Sequence, residues 1–577
     1  MLTELRPKKE LLDPNFGGYK LSLDSIPVYR QSINEGADHV CQSEDQYSFI
    51  HTKVFSLHNH LFCDPWHNNT VFLVDKGWNV LKATINSETG RLEALQTVWK
   101  IPGQTHRKSG HYNVSILLPS SQVVVVTDGC GWLHTLSRAD DSQWQVELSS
   151  EVVAGVLLSA RTVADTLHCV LMTLETQTAE EVISAGPRRS DKPKPAVVNT
   201  ILHWVVFTKD SEGVWSESCK RQLEGAGSVD YVALEVSGSA LYIDSNANFK
   251  FTSDSANPLP PPEEKMEIEE QNLYVWEQTK DDVKVTVEVG PKVTRDDVEV
   301  SVTEGQLTIR CGQQLIVSGA LSRAVDQSLT TWTLQPNRLE VILVKQDSGM
   351  MWPELVKGDT RGQQILDPDV VEDVHNRLSH LCSDTEVQEA GEGFAPTFNL
   401  DQLEDCDTAP EDSWSLLRLE AESHSITHQI SLAGHQWLMA VSEGPDRVPS
   451  MCVRHDVDGC VWRLEPPTTE DWPCHHVGTF YALGYVAASK QQKKFMLAAP
   501  DLSYTVICEA TSHVFVYRKS STVEGELRNR KTSTKIPTVA KQQLINLESS
   551  SSILGACATN SHLFILTTET LYCFHIQ

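Results

Sequence analysis

The feature that most restricts the fold of this 577-residue chain is a strand–turn–strand unit that returns at regular intervals. Each copy is a short apolar run, a tight turn and a second apolar run, and the copies begin at Val71, Val123, Val232, Val453, Val506 and Ala556. The turns at Asp75 and Asp128 lie 53 positions apart, and the turns at Asp458 and Thr511 are separated by the same distance. A period near fifty in short strands is typical of a β-propeller, whose blades are four-stranded sheets.

The spacing also predicts the number of blades and the way the ring closes. The step from Asp128 to Ser237 is about twice the period, so it should contain one further copy, which gives about seven blades. Sheet edges stay exposed unless the first and last segments of a propeller pair. We therefore expect the run Phe49–Phe55 to pair with the final run Leu563–Phe574, so that both flanks form one domain. Two separate β domains joined by the middle segment are the alternative.

Between Leu273 and Asp359 the pattern changes to strict alternation. Apolar residues occupy every second position in three runs, at Val283–Val289, Val298–Val302 and Leu339–Leu343. Turn signals such as Gly290-Pro291 separate the runs, and no helical period interrupts them. Period two indicates strands with one buried face. The segment is therefore predicted to be a small antiparallel β-sandwich, inserted in a loop of the propeller. The fold class predicted for the whole chain is all-β.

Three short motifs in this segment carry a family resemblance. They are Tyr274-Val-Trp-Glu-Gln-Thr279, Thr331-Trp-Thr-Leu334 and Trp352-Pro-Glu-Leu355. Together they resemble the CS domain of the NudC family, a sandwich also found in co-chaperones of the ninety-kilodalton heat-shock chaperone. Met351 stands where family members often carry the first residue of a Trp pair.

The resemblance implies a co-chaperone or adaptor without enzymatic activity. Its CS domain would engage the ninety-kilodalton chaperone or its clients, and it would assist the folding or assembly of WD-repeat and other propeller proteins, with coat or dynein-related complexes among the partners. The candidate partner contacts are Tyr274, Trp276, Met351, Trp352, Pro353 and Leu355. Trp352 either covers the end of the sandwich or anchors a partner, since truncating a Trp near an interface centre commonly costs ~2 kcal/mol or more.

Composition shifts predict seven segments along the chain. They are an N-terminal extension 1–45, the first part of the propeller 46–257, a Pro- and Glu-rich linker 258–272, the sandwich 273–360, a helix 361–382, an acidic linker 383–412 and the second part of the propeller 413–577. The helix is predicted from Asp367 as N-cap, Pro368 at the first helical position and an apolar stripe that ends at Leu381. Residues 384–412 contain no Lys or Arg, and most of them should be disordered.

Charge restricts the class of partner. The net charge is −29, and such a chain repels phosphate backbones and anionic membranes, so neither nucleic acid nor a membrane is an expected partner. No apolar run approaches the ~20 residues of a membrane helix, and the N-terminus lacks the apolar core of a signal peptide. We therefore expect a protein of the cytoplasm and nucleus whose fourteen cysteines are reduced.

No catalytic motif is present in the sequence. It contains no phosphate-binding loop, dinucleotide turn or nucleophile elbow. Cys474-His-His476 and the pair Cys452 and Cys460 come nearest to metal ligands, but they lack the close spacing of structural zinc sites, so no metal or cofactor is predicted. Two alternatives stay open: a propeller scaffold subunit of a coat, splicing or signalling complex with no chaperone role, and an enzyme with its site in the propeller channel.

Overall fold

The computed structural model describes most of the chain. The described residues are 2–14, 16–86, 88–103, 107–138, 143–176, 198–259, 274–289, 295–312, 314–335, 338–347, 349–350, 352, 354–357, 359, 361–364, 414–468, 471–522, 528, 533, 538–547 and 551–576. The predicted linkers 258–272 and 383–412 lie almost entirely outside them. The chain divides into two compact units, one formed by Met1–Leu259 with Pro396–Gln577 and the other by Pro260–Ala395.

The first unit is built almost entirely of short strands. Before the insertion these are β1 (Leu2–Glu4), β2 (Tyr19–Leu21), β3 (Val28–Ser32), β4 (Phe62–Cys63), β5 (Thr70–Val74), β6 (Asn79–Thr84), β7 (Gln96–Lys100), β8 (Ser115–Leu117), β9 (Val123–Thr127), β10 (Trp132–Ser137), β11 (Gln145–Glu151), β12 (Val156–Val163), β13 (Thr166–Thr176), β14 (Val198–Lys209), β15 (Trp215–Gly225), β16 (Val229–Leu234), β17 (Ala240–Ser245) and β18 (Lys250–Asp254).

The second unit and the C-terminal part continue the series. The strands of the inserted unit are β19 (Tyr274–Gln278), β20 (Asp282–Glu288), β21 (Val298–Thr303), β22 (Gln306–Cys311), β23 (Gln314–Ala320), β24 (Val325–Gln335), β25 (Arg338–Lys345) and β26 (Gly362–Gln364). Those after it are β27 (Ser415–Glu420), β28 (Ser425–Ser431), β29 (Gln436–Val441), β30 (Ser450–His455), β31 (Asp458–Leu464), β32 (Cys474–Phe480), β33 (Lys493–Ala498), β34 (Tyr504–Glu509), β35 (His513–Arg518), β36 (Ser521–Thr522), β37 (Thr538–Asn546), β38 (Ile553–Ala558), β39 (His562–Thr567) and β40 (Thr570–His575). Among the described residues the helices are α1 (Phe49–Ser56) and α2 (Leu483–Ala488), with 3-10 turns at Lys9–Leu11 and Arg295–Asp297.

The first unit is a propeller. Its described residues form seven four-stranded blades, which in ring order are β4–β7, β8–β11, β12–β15, β16-β17-β27-β28, β29–β32, β33-β34-β35-β37 and β38-β39-β40-β3. First strands of neighbouring blades contact one another, which identifies them as the inner ring. The prediction of about seven blades formed by both flanks is confirmed.

Packing between blades explains why the repeat appears in the sequence as unbroken apolar runs. Second strands such as Thr70–Val74 and His562–Thr567 are buried along their whole length, because each blade is covered on both faces by its neighbours. Eight clusters of buried apolar residues lie in the described part of this unit. Seven are each drawn mainly from two adjacent blades, and the eighth consists of Phe55, Tyr112 and Val156. Burial on both faces removes the alternation that a strand with one wet face would show.

The insertion interrupts blade 4. Strands β16 and β17 precede it, β27 and β28 follow it, and β17 pairs antiparallel with β27 from Ala240↔Glu420 to Ser245↔Ser415. The two halves of the chain therefore share a sheet, which excludes two separate flanking domains. The last strand before the insertion, β18, extends blade 3 instead by pairing with β15.

Ring closure uses a different N-terminal strand from the one predicted. β3 pairs with β40 in the register Val28↔Phe574 to Ser32↔Thr570, so the C-terminal partner was right and the N-terminal one was wrong. The predicted partner, Phe49–Phe55, lies within α1. Ser48 caps this helix by accepting a 3.2 Å hydrogen bond from the His51 N–H. His51 and Phe55 are four positions apart, so they lie on the same side of the helix, and both are buried.

The inner strands of the first and last blades are also joined. Asn59 donates to the Ala556 carbonyl at 2.8 Å and accepts from the Ala556 N–H at 3.0 Å, which imitates a strand pair. Beside it, Cys63 and Cys557 form a disulfide with a Cα–Cα distance of 6.1 Å. The expectation that every cysteine is a free thiol is therefore wrong for this pair. The physical reason is that ring closure brings together residues 494 positions apart, which the sequence does not reveal.

A buried carboxylate fixes the chain just before the insertion. Asp254, at the end of β18, accepts hydrogen bonds from Arg221 Nε at 2.8 Å, His424 Nε2 at 3.0 Å and the N–H groups of Ala256 and Asn257 at 2.8 and 3.1 Å. Burial by itself would raise the pKa of Asp254, but these hydrogen bonds outweigh it and hold the pKa well below its ordinary value. Since His424 lies in the β27–β28 turn, this contact ties the strand before the insertion to the hairpin after it.

The second unit is a β-sandwich. One sheet has the order β24-β25-β20-β19-β26 and the other β21-β22-β23. Strand β25 shows the predicted alternation, with Leu339, Val341 and Leu343 fully buried and their neighbours more exposed. Residues 362–364, assigned to the predicted helix 361–382, form β26 and pair with β19 in parallel. Residue 361 lies in a bend, and residues 365–382 of that predicted helix lie outside the described residues.

Candidate protein-binding surface

The motif residues lie together in the core of the sandwich. Tyr274, Trp276, Trp352 and Leu355 are 1 to 4% exposed and belong to one cluster that also includes the alternating valines. Met351 and Pro353 lie outside the described residues. In this conformation the four described side chains are buried in the core, and their part in partner binding stays a prediction. Substituting these residues is expected to affect partner binding through the fold of the sandwich.

Gln278 explains why a Gln belongs in the opening motif. Its Nε2 donates to the Trp352 carbonyl and its Oε1 accepts from the Trp352 N–H, both at 2.8 Å. The side chain thus pairs with the backbone of Trp352 as a neighbouring strand would. This contact holds the indole of Trp352 over the end of the core, the first of the two roles that the sequence left open.

Lys345 completes this arrangement, and sequence reasoning missed it. Its Nζ donates to Gln278 Oε1 at 3.0 Å, the Thr279 carbonyl at 2.7 Å and the Met350 carbonyl at 3.0 Å. Only 5% of the residue is exposed, and burial lowers the pKa of Lys345. A signal was available, because Lys345 continues the inward positions of Leu339, Val341 and Leu343 in β25.

Charged side chains pair with one another on the solvent-facing side of the larger sheet. Lys284 Nζ lies 3.3 Å from Glu277 and 3.6 Å from Glu340, and Arg338 Nε lies 3.0 Å from Glu340. Ile342, 36% exposed, lies beside them on β25. We call Glu277, Lys284, Arg338, Glu340 and Ile342 the outer face. Paired charges around a single apolar side chain resemble the polar rim of a protein interface and can give specificity to an encounter.

One end of the propeller ring is occupied by α1. Phe55 stacks on Tyr112, ahead of blade 2, with ring centroids 5.6 Å apart. Lys53 donates to Ser228 Oγ at 2.9 Å and forms an ion pair with Asp230, both at the start of blade 4. The helix therefore lies over the inner ends of blades 2 to 4.

Titratable side chains in the inner ring have structural partners. His58 bonds the Val114 carbonyl through Nε2 at 3.0 Å, and its ring centroid lies 4.7 Å from that of His60. Burial lowers the pKa of His58 to about 4 and that of His60 well below its ordinary value, so both rings are neutral near pH 7. Within the described ranges, no three His, Cys, Asp or Glu side chains are placed to hold a metal ion.

Comparison with known proteins gives a consistent result. The family model of the CS domain matches residues 272–345. The chain is 33% identical to NudC domain-containing protein 1 of Mus musculus, over 99% of this chain and 98% of that protein. It is 32% identical to NudC domain-containing protein 1 of Xenopus tropicalis, over 98% of this chain and 97% of that protein.

Solved structures similar to parts of the chain include a propeller and a CS domain. The crystal structure of the Myceliophteria thermophila Cps50 (Swd1) β-propeller domain is 6% identical, with a TM-score of 0.34 and coverage of 95% of this chain and 100% of that one. The solution structure of the CS domain of human KIAA1068 protein is 21% identical, with a TM-score of 0.15 and coverage of 15% and 75%. The fold assignment itself rests on the strand order described above. No helix among the described residues has the length and apolarity needed to cross a bilayer.

Proposed function

This chain belongs to the family of NudC domain-containing protein 1, and from that premise we propose that it is a non-enzymatic co-chaperone and adaptor. A CS domain and a propeller both indicate protein–protein interaction. The finer proposal is that the CS domain binds the ninety-kilodalton heat-shock chaperone while the propeller holds another protein, with WD-repeat and related propeller proteins as the clients. Two linked binding surfaces raise the effective concentration of one partner near the other.

The observation that supports this proposal most strongly is the construction of the CS sandwich. Tyr274, Trp276, Trp352 and Leu355 are buried in its core, while the outer face leaves the Glu277 and Arg338 side chains 45% and 47% exposed. A surface of alternating charge can recognise a large folded partner without any chemistry of its own. Absence of a catalytic motif from the sequence agrees with an adaptor.

The test is direct binding of the purified full-length chain to the purified chaperone, by biolayer interferometry with and without ATP. The double variant Lys284→Glu with Arg338→Glu reverses two charges of the outer face, and we expect about tenfold weaker binding, roughly 1.4 kcal/mol. Lys541→Glu, an exposed charge reversal on the propeller, is the matched control and should bind like the natural chain. Lack of binding by the natural chain would reject the chaperone role, and equal binding by all three proteins would reject the outer face as the contact.

The client proposal has its own measurement. Quantitative proteomics after depletion of the protein should show lower levels of WD-repeat proteins than of other proteins of similar size. We also propose residence in the cytoplasm and nucleus, which imaging of the tagged full-length chain will test. An unchanged pool of WD-repeat proteins would favour the second candidate, a propeller scaffold without a chaperone role.

A further inference from the structure

The propeller ring closes at two places, and the inner one carries a disulfide. At the outer rim β3 pairs with β40. At the inner ring residues 59–63 lie against β38, where the His60 N–H donates to the Leu554 carbonyl at 3.1 Å. We call this inner contact the seam. The disulfide between Cys63 and Cys557 is a covalent bond across it, between the first and the last blade.

The two cysteines of this disulfide differ in their access to solvent. Cys63 is exposed at the end of β4. Cys557 is 2% exposed and belongs to the buried cluster that also contains Leu73 and Phe564. A disulfide is opened when an external thiolate attacks one of its two sulfurs, and access decides which sulfur that is. Attack is therefore directed at Cys63, and the buried Cys557 is the leaving thiol.

Contacts that involve no sulfur hold Cys63 in place on both sides. Before it, Asn59 makes its two hydrogen bonds to the Ala556 backbone, at 2.8 and 3.0 Å. Directly after it, the buried Asp64 accepts a 2.6 Å hydrogen bond from Arg138 Nη1. Breaking the S–S bond should therefore leave the two Cα atoms near their 6.1 Å separation, within the range of about 4.4–6.8 Å that a disulfide spans. The pair is thus arranged to open and to form again.

The proposed compartment makes opening of this bond possible. Small thiols keep most cysteines of the cytoplasm and nucleus reduced, and the disulfides found there are usually transient. Residence in that compartment is the part of the proposed function on which this inference rests. Exposed disulfides are the ones that respond to the thiol balance around them, whereas enclosed disulfides resist reduction. Exposure of Cys63 together with a fixed backbone therefore suits a bond that changes with that balance.

We propose that the Cys63–Cys557 disulfide is a reversible site of thiol–disulfide exchange whose co-reactant is a low-molecular-weight thiol. The thiolate of that molecule attacks Cys63 Sγ, the S–S bond breaks, and its electron pair leaves on Cys557 Sγ, which takes up a proton. A second small thiolate attacks the sulfur of the first and releases Cys63 as a thiolate, which is protonated in turn. Two electrons pass to the protein, and the two small thiols leave joined as a disulfide.

Reduction leaves the seam held by hydrogen bonds and apolar packing alone. Strand β4 contributes only Phe62 and Cys63 to blade 1, so the seam should open more often once the covalent bond is gone. The β3–β40 pair closes the outer rim in both states. The redox state of the cysteines therefore sets how firmly the inner ring is closed. This site goes beyond the proposed function, because it uses neither the CS domain nor its outer face.

The probe is glutathione, and the full-length chain is equilibrated under argon in buffers that vary the ratio of its reduced to its oxidised form. Differential alkylation and mass spectrometry then give the state of each cysteine. Hydrogen–deuterium exchange compares the two end states, and peptides from the seam should exchange about tenfold faster in the reduced chain, while peptides from 200–207 in blade 3 should not change. Cys63→Ser should abolish the response. Cys41→Ser, which removes an exposed free cysteine elsewhere, is the matched control and should keep it.

A reversible transition within the glutathione series, with a mixed disulfide on Cys63 and faster exchange of the seam on reduction, supports the proposal. A bond that stays intact at every ratio, or that forms at none, overturns it. Equal exchange of the seam peptides in both states overturns it as well, and so does a mixed disulfide found on Cys557 alone. These measurements need only the purified chain and glutathione, so their failure is distinct from failure of the chaperone measurement or of the imaging.

Discussion

Replacing Trp352 by Ala should strongly destabilise the sandwich and leave the propeller intact. The indole is 2% exposed within the sandwich core, and truncating a buried Trp costs about 3–5 kcal/mol. At about 0.05–0.15 kcal/mol per residue, a sandwich of roughly 90 residues has a total stability of about 5–13 kcal/mol. The variant therefore loses a large part of that stability. At about 4–8 °C per kcal/mol, its melting temperature should fall by about 12–40 °C.

The assay is hydrogen–deuterium exchange of the full-length chain read by mass spectrometry. Peptides from 274–289 and 338–345 should exchange much faster in Trp352→Ala, while peptides from 553–576 stay protected. Trp132→Ala removes a Trp that is 41% exposed, and it should leave both sets within about 1 kcal/mol of the natural chain. If the sandwich peptides of Trp352→Ala keep their protection, the indole is not a core residue. A loss of partner binding without a loss of protection would restore the alternative role of Trp352 as an anchor.

Three further predictions concern buried polar groups and the ring seam. Lys345→Met should destabilise the sandwich by about 1–3 kcal/mol, since the Gln278 side chain and the carbonyls of Thr279 and Met350 lose their charged donor. The control, Lys284→Met, should change the free energy of unfolding by about 0.5 kcal/mol or less. Because burial lowers the pKa of Lys345, the folded state binds the lysine proton less tightly than the unfolded state does. The free energy of unfolding of the sandwich should therefore rise as the pH approaches about 10. Urea titrations of Lys345→Met should not show that rise. Hydrogen bonds hold the pKa of Asp254 below its value in the unfolded chain, so its contribution to the stability of the propeller is present above about pH 5 and is lost as the pH falls toward the folded-state pKa. The stability of Asp254→Asn should therefore depend less on pH in this acid range. Equal acid unfolding profiles for the variant and the natural chain would contradict this. Alkylation and mass spectrometry should label Cys63 and Cys557 only after reduction, and labelling of both without a reductant would exclude the disulfide.

Sequence patterns predicted the fold well where the burial of a strand determines its local pattern of apolar residues. Blades compressed between neighbours produced unbroken apolar runs such as Val123–Val126, and the sandwich with one wet face produced strict alternation at Val283–Val289. Because those patterns differ, the boundary between propeller and insertion was visible without coordinates. Likewise, the motif Trp352-Pro-Glu-Leu355 indicated the CS domain, but its role in the core was not separable from a role at the surface.

Long-range pairing was where prediction failed. Phe49–Phe55 is apolar enough for a strand, and only the competition with Val28–Ser32 for β40 shows that it is a helix. Lys345 could have been recognised from its inward register, yet its three acceptors come from separate segments that meet only in the folded sandwich. The exposed position of Leu23 beside Leu544 left no sequence signal, since both are ordinary leucines until the folded propeller places them on one surface.

The sequence by itself predicted an all-β chain with about seven propeller blades and an inserted sandwich, because strand period and repeat length are local consequences of which faces are buried. Only the tertiary structure decided which strand closes the ring, that the insertion divides blade 4, and which side chains remain in water. Those outcomes depend on contacts between residues hundreds of positions apart, such as Val28 with Phe574, and local composition carries no record of such pairs.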